Sequence, residues 1–202
     1  MIRLVCLVLG YFFGTFQTAY FYGKMHGIDI RTMGSGNAGT TNMLRIHGKG
    51  MAALTFMCDV LKGVIAVFIG KALVGGELGG VLGVLGAVLG HNFPLYFGFK
   101  GGKGIATSFG SLLFVYPLQS LGALTVFVIL VCITHYVSLG SIVASFTLPA
   151  LVLLTTPFHP IIWPIMVFLG AMAIYRHKAN IERLLQHKES KLDFSVFKKK
   201  AK

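Results

Sequence analysis

Long apolar stretches recur along this chain, at approximately 2–23, 51–73, 79–98, 104–117, 118–135, 139–156 and 160–176, with short polar connections between them. A helix of about 20 apolar residues crosses a hydrocarbon core of about 30 Å. The alternating segments of about 10 residues that mark a membrane β-barrel are missing from the pattern. The chain therefore reads as an all-α polytopic membrane protein with about seven transmembrane helices. Pro117, Pro157 and Pro160 mark turns between spans. The 104–117 stretch is the weak one, reaching only about 21 Å as a helix. It fits a short complete span. A re-entrant segment is the other reading, and it would reverse every later crossing. The first stretch carries a single early charge, Arg3, and no small-residue cleavage site, so it is expected to stay as a helix. Within 79–98, the pairs Gly79/Gly83 and Gly86/Gly90 have the small-xxx-small spacing that lets neighbouring helices approach closely.

Composition agrees with that class. Of 202 residues, 55% are hydrophobic and 12% charged, about half the charged share of a soluble domain. Mean hydropathy is +0.77. The length suits one domain over 1–202. A net charge of +12 would suggest a nucleic-acid partner in a soluble protein. Here the basic residues cluster at helix ends and in a tail of about 186–202, so membrane lipids are the expected partner instead. Lys24, Arg31, Arg45 and Lys49 fall in the 24–50 connection, and Lys100 and Lys103 in 99–103. Nine Lys and Arg follow from Arg176 onward, whereas the connections at 74–78, 117 and 157–160 have none. Seven spans satisfy this bias with the N-terminus outside and the C-terminus cytoplasmic; Lys71 is a mild exception that can snorkel. That topology brings the polar stretches 34–45, 100–107, 135–141 and 176–183 to one side. Cys6, Cys58 and Cys132 all lie in apolar runs with no metal spacing.

Two of those polar stretches suit phosphate. In GSGNAGTTNMLR at 34–45, Gly34, Gly36 and Gly39 permit the backbone turns that point N–H groups inward. Ser35, Asn37, Thr40, Thr41 and Asn42 add short donors, and Arg45 a bidentate fork. The bland alternative is a loop ending in a helix cap at Thr40 or Thr41. In GGKG at 101–104, Gly101, Gly102 and Gly104 are expected to expose N–H groups before a helix, Lys103 supplies a point charge, and Thr107 lies on the first turn. Gly104 stands where a nucleotide-binding loop would need Ser or Thr, so this is not such a loop. Asp59 and Lys62, three apart, share a helical face and are read as a structural pair. His91 is a candidate brace for the GGKG loop. His177 and Asn180 face one way and can both meet an anion, while Ser141 suits a helix cap and a ligand donor equally. The six acids form no cluster for two metals and the seven His no ligand spacing, so neither metal nor cofactor is expected.

Taken in order, GSGNAGTTNMLR, DVLKG at 59–63, GHNFPLYFGFKGGKGIAT at 90–107, YVSLGSI at 136–142 and YRHKANIERLL at 175–185 resemble the acyl-phosphate:glycerol-3-phosphate acyltransferase family of bacterial membranes. The likeness spans nearly the whole chain. Two departures stand out: Thr40 replaces the family's usual Ala in GATN, and HKANI at 177–181 replaces HRENI. The resemblance implies a multi-pass enzyme of the bacterial inner membrane; a monomer is expected. It would transfer a fatty acyl group from acyl phosphate to the 1-hydroxyl of glycerol 3-phosphate, giving lysophosphatidic acid and phosphate. It implies that Arg45, Lys103, Ser141, His177 and Asn180 bind glycerol 3-phosphate and carry the reaction. The 35–42 loop and GGKG would hold the donor. No positioned protein base is evident, so a donor phosphate oxygen is expected to take the proton. An organic-phosphate transporter or exchanger is the competing class.

Overall fold

The computed structural model describes residues 1–193. Of the basic tail expected over about 186–202, everything from 194 lies outside the described residues. Among the described residues the chain forms nine α-helices and no strand: α1 Ile2–Gly14, α2 Thr18–Met25, α3 Thr40–Val74, α4 Gly76–Asn92, α5 Ile105–Leu112, α6 Pro117–Thr134, α7 Val137–Thr155, α8 Ile162–Arg176 and α9 Lys178–Leu185. Five segments are long and apolar enough to cross a membrane: Ile2–Met25, Thr40–Val74, Gly76–Phe97, Pro117–Thr134 and Val137–Thr155. Ile162–Arg176 is a shorter apolar helix.

The glycines of α4 set the packing of the first half. A Cβ on Gly79 or Gly83 would overlap the carbonyl oxygens of Gly70 and Ala66 on α3. A Cβ on Gly86 or Gly90 would overlap those of Leu7 and Tyr11 on α1. The two pairs thus serve different neighbours, one on each side of α4. Their registers make α4 antiparallel to α3 and parallel to α1. With α5 these helices form one group, and α6, α7 and α8 form a second. A core of Val67, Val81, Val84, Val88, Leu112, Leu148 and Met166 joins the two.

The polar 24–50 connection is more ordered than its composition suggests. α3 begins at Thr40 and continues to Val74, broken only at Gly48, whose φ of 77° suits glycine. The cap position is Gly39, without a side-chain hydrogen bond, so neither Thr40 nor Thr41 caps the helix. The buried Met43 packs with Ala19, Ile30 and Ala38, which gives this first piece its own small core.

The 104–117 stretch is helical only over Ile105–Leu112, about 12 Å. It does not double back. Gly104 sits beside Val88 and Asn92 near the C-terminal end of α4, and the Tyr116 hydroxyl donates to Glu77 at its start (3.3 Å). One end of the bundle therefore gathers the last residues of α4, the start of α5, and Arg176, whose guanidinium donates to Gly101 and Gly102. The other end gathers Glu77, Tyr116 and the Gln119–Thr155 contact (2.7 Å).

Candidate active site

Between the two helix groups lies a cavity of about 360 Å³. Its mouth is polar, with Ser35, Asn37, Gly39, Thr40, Thr41, Asn42, Arg45, Lys103, Gly104, Ser141, His177 and Asn180 in its lining. These twelve come from the two polar loops, α3, α7, the α8–α9 junction at His177 and α9, so four stretches separated in sequence converge. Gly36, Gly101, Gly102 and Thr107 lie outside the lining. Thr107 is misplaced by helical geometry: successive residues are about 100° apart, so Ile105, Ser108, Phe109 and Leu112 face the cavity while Thr107 packs on Gly63 of α3.

The glycine N–H groups also differ from expectation. Gly101 N–H donates to Asn92 O and Gly102 N–H to His91 O (both 3.2 Å). Their carbonyls accept from Arg176 Nη2 (2.8 Å each). Arg176 also lies over the Phe93 ring, 5.2 Å from its centroid. These two glycines are thus pinned as a brace, which leaves Lys103, Gly104 and the start of α5 to face the cavity. In the first loop, Ser35 N–H donates to Asn42 Oδ1 (2.8 Å), Gly36 N–H to Met33 O (3.0 Å) and Gly39 N–H to Asn37 O (2.9 Å). Asn42 Nδ2 donates to Met33 O (3.0 Å), so this side chain holds the loop's shape. Asn42 N–H donates to Gly39 O (3.1 Å), so the donors this loop offers a ligand include the Thr40 and Thr41 N–H groups at the start of α3 and the buried Thr40 hydroxyl, which has no partner among the described residues.

A chain of contacts runs across the mouth. Lys103 Nζ donates to Asn180 Oδ1 (2.5 Å), Asn180 Nδ2 to Glu189 Oε1 (2.8 Å), and Arg183 Nε to Glu189 Oε2 (2.7 Å). Arg45 Nη2 donates to Ser190 O (3.3 Å). Burial lowers the Lys103 pKa to about 8, and Arg183, Arg45 and Arg176 push the same way against Glu189. Burial and the Lys103 charge lower His177 to about 4, so its ring is neutral near pH 7. His177 Nδ1 donates to Ala173 O (2.8 Å), which leaves Nε2 as an acceptor. Ser141 Oγ donates to Val137 O (2.8 Å), one turn inside α7, and so is not the helix cap. Burial pushes the Glu189 carboxyl up, but hydrogen bonds from Asn180 and Arg183 outweigh it and hold the group below its usual range.

Behind the mouth, Lys62 Nζ meets Asp59 Oδ1 (2.8 Å), His91 Nδ1 (2.7 Å) and Phe16 O (2.7 Å). An ammonium has three protons to donate and no acceptor, so Lys62 is saturated and His91 Nδ1 is an acceptor. Asp59 is thereby paired, as its spacing from Lys62 suggests. His91 carries the GGKG loop through its carbonyl and packs its ring on Gly102.

A sequence model described as glycerol-3-phosphate acyltransferase matches residues 4–187. The chain belongs to the glycerol-3-phosphate acyltransferase family. Within that family it is 46% identical over 195 residues to the glycerol-3-phosphate acyltransferase of Clostridioides difficile, covering 94% of this chain and 95% of that protein. It is likewise 46% identical to the one from a Thermoanaerobacter species, covering 95% and 96%. The crystal structure of PlsY (YgiH), an integral membrane glycerol 3-phosphate acyltransferase in its glycerol 3-phosphate form, superposes with a TM-score of 0.88 at 34% identity, covering 98% of this chain and 99% of that one. Its lysophosphatidic acid form gives 0.84. The acyltransferase family thus carries the same all-helical membrane fold as this chain.

Two residues near the mouth have no role legible in the motifs: Arg176 lies within YRHKANIERLL with no function of its own, and Glu189 is one of six acids. A carboxylate inside a strongly basic segment is the signal that could have marked Glu189.

Proposed function

We propose that the protein transfers a fatty acyl group from acyl phosphate to the 1-hydroxyl of sn-glycerol 3-phosphate. The carrying observation is the two-ended cavity: cationic and donor-rich around Lys103, Arg45 and Asn180, and apolar deeper between α5, α6, α7 and α8. Both substrates bear phosphate, and one bears a long alkyl tail. Arg45, Lys103, Ser141, His177 and Asn180 would hold glycerol 3-phosphate. The loop from Ser35 to Asn42, with Gly104 and the start of α5, would hold the donor phosphate. Gly36, Gly101, Gly102 and Thr107 would support these groups without touching substrate.

The acceptor hydroxyl attacks the acyl carbonyl carbon, a C–O ester bond forms, and the C–O bond to phosphate breaks. The hydroxyl proton goes to an oxygen of the departing phosphate, so the products are lysophosphatidic acid and inorganic phosphate, with no covalent enzyme intermediate. Holding both reactants in line is worth about 7–11 kcal/mol in model systems. A donor aimed at the carbonyl oxyanion adds about 3 kcal/mol.

The site would face the cytoplasm of a bacterial inner membrane, with seven crossings, the N-terminus outside and one copy sufficient. The Lys and Arg distribution supports this orientation, as does the passage of the Gly104–Tyr116 segment from one end of α4 to the other. A transporter would need a second opening, and the lining narrows to packed core at its deep end.

Replacing His177 and Asp59 in turn tests the proton route. Each variant should keep measurable turnover, because neither is the base. A loss beyond about 10⁴-fold with substrate binding intact would exceed what positioning explains and would assign a protein base.

A further inference from the structure

Among α5, α6, α7 and α8 the apolar part of the cavity ends at Leu112, Ala123, Leu148 and Met166, with Pro149 next to Leu148, while α3 and α4 line it through Phe56, Asp59 and His91. Leu148 lies about 15 Å along α7 from Ser138, and Met166 about 16 Å along α8 from His177. All four side chains are buried and belong to the core cluster. Immediately beyond them Tyr116, Val152 and Ile162 are 3%, 0% and 3% exposed, so no gap continues past this level. Ala144, Gly170 and Ala173 line the stretch between mouth and floor, and their small side chains leave it open.

We infer that Leu112, Ala123, Leu148 and Met166 form the closed end of an alkyl-chain site and limit the length of acyl chain that is transferred best. The inference rests on the acyl-phosphate reading above. A tail whose head is held at the mouth has two routes, down this shaft or sideways past Phe56, which lines the cavity and is 39% exposed. The shaft offers apolar contact on four sides, whereas the side route leaves part of the tail in lipid, where burial against protein gains nothing. A tail in lipid would not be measured. A tail in a closed shaft is, because a chain one methylene too long for the shaft must displace packed core.

The test uses purified full-length protein, glycerol 3-phosphate and a series of saturated acyl phosphates from short to long. The readout is the ratio of kcat/KM for a long donor to that for a short one. Ala123→Phe fills the floor and should lower this ratio at least tenfold. Met166→Ala deepens the floor and should raise it at least threefold for chains longer than the wild-type optimum. If Ala123→Phe does not fold, Met166→Ala decides alone. Ratios unchanged from wild type, with acyl phosphate still consumed, would overturn the floor as a ruler and leave the donor assignment standing. Failure of the wild type to use acyl phosphate of any length would instead remove the reading on which the inference rests.

Discussion

The Lys103 ammonium is the charge proposed to meet the anionic acceptor, and burial weakens its hold on its proton, to a pKa of about 8. The group is a cation below that value and neutral above it, so affinity for a phosphate falls as pH rises through about 8. Because kcat/KM reports the free enzyme, kcat/KM for glycerol 3-phosphate should drop about tenfold by pH 9. Arginine stays charged over this range, so Lys103→Arg should abolish the drop whatever its effect on the absolute rate. A decline that persists in the variant would move the titration elsewhere. His177, lowered to about 4, stays neutral from pH 5.5 upward and should add no transition near the usual histidine range. Arg45 offers a different test. Its guanidinium reaches Ser190 O at 3.3 Å, and a planar fork is not replaced by an ammonium. Arg45→Lys should raise the KM for glycerol 3-phosphate by about tenfold, the scale of one charge-assisted hydrogen bond, and change the donor KM little. An equal loss for both substrates would contradict the proposed division between donor and acceptor.

Among the helices, α4 decides whether the site exists, because its C-terminal end carries His91 and Asn92, which receive the GGKG backbone. Its glycines make that placement possible. A side chain at Gly83 would meet the backbone of Ala66 and Val67, with no flexible neighbour to yield. Gly83→Leu should therefore lower the thermal midpoint in detergent and reduce folded yield, with a cost of at least 1–3 kcal/mol; normal melting would mean that α3 and α4 can separate freely. The small-xxx-small spacing was legible in the chain, and so was the convergence of polar stretches, because both depend on periodicity and charge. Which face of α5 meets the cavity was not. Thr107 and Ser108 are equivalent by composition, and only packing of Thr107 on Gly63 turns Ser108 inward. The use of the Gly101 and Gly102 N–H groups was equally hidden, since it depends on where the α4 carbonyls end. The helix starting at Thr40 was legible only as the alternative to a binding loop, because a polar, glycine-flanked stretch reads as loop until Met43 is seen to have its own buried neighbours.

For the molecule as a whole, two helix groups meet around one cavity, polar at the end where Arg176, Lys103 and Arg45 gather and closed at the other. That asymmetry is what separates a transferase from a carrier. A carrier must expose its site to both faces in turn, whereas a transferase for a soluble phosphate and a lipid-soluble donor needs one aqueous mouth and one apolar shaft. The deciding measurement combines purified protein in sealed vesicles with acyl phosphate and glycerol 3-phosphate, without acyl-CoA or added metal. Phosphate and lysophosphatidic acid are followed together with uptake of glycerol 3-phosphate. The account predicts one phosphate released for each lysophosphatidic acid formed and no uptake beyond that of protein-free vesicles. Accumulation of glycerol 3-phosphate inside the vesicles with no lysophosphatidic acid made would contradict it.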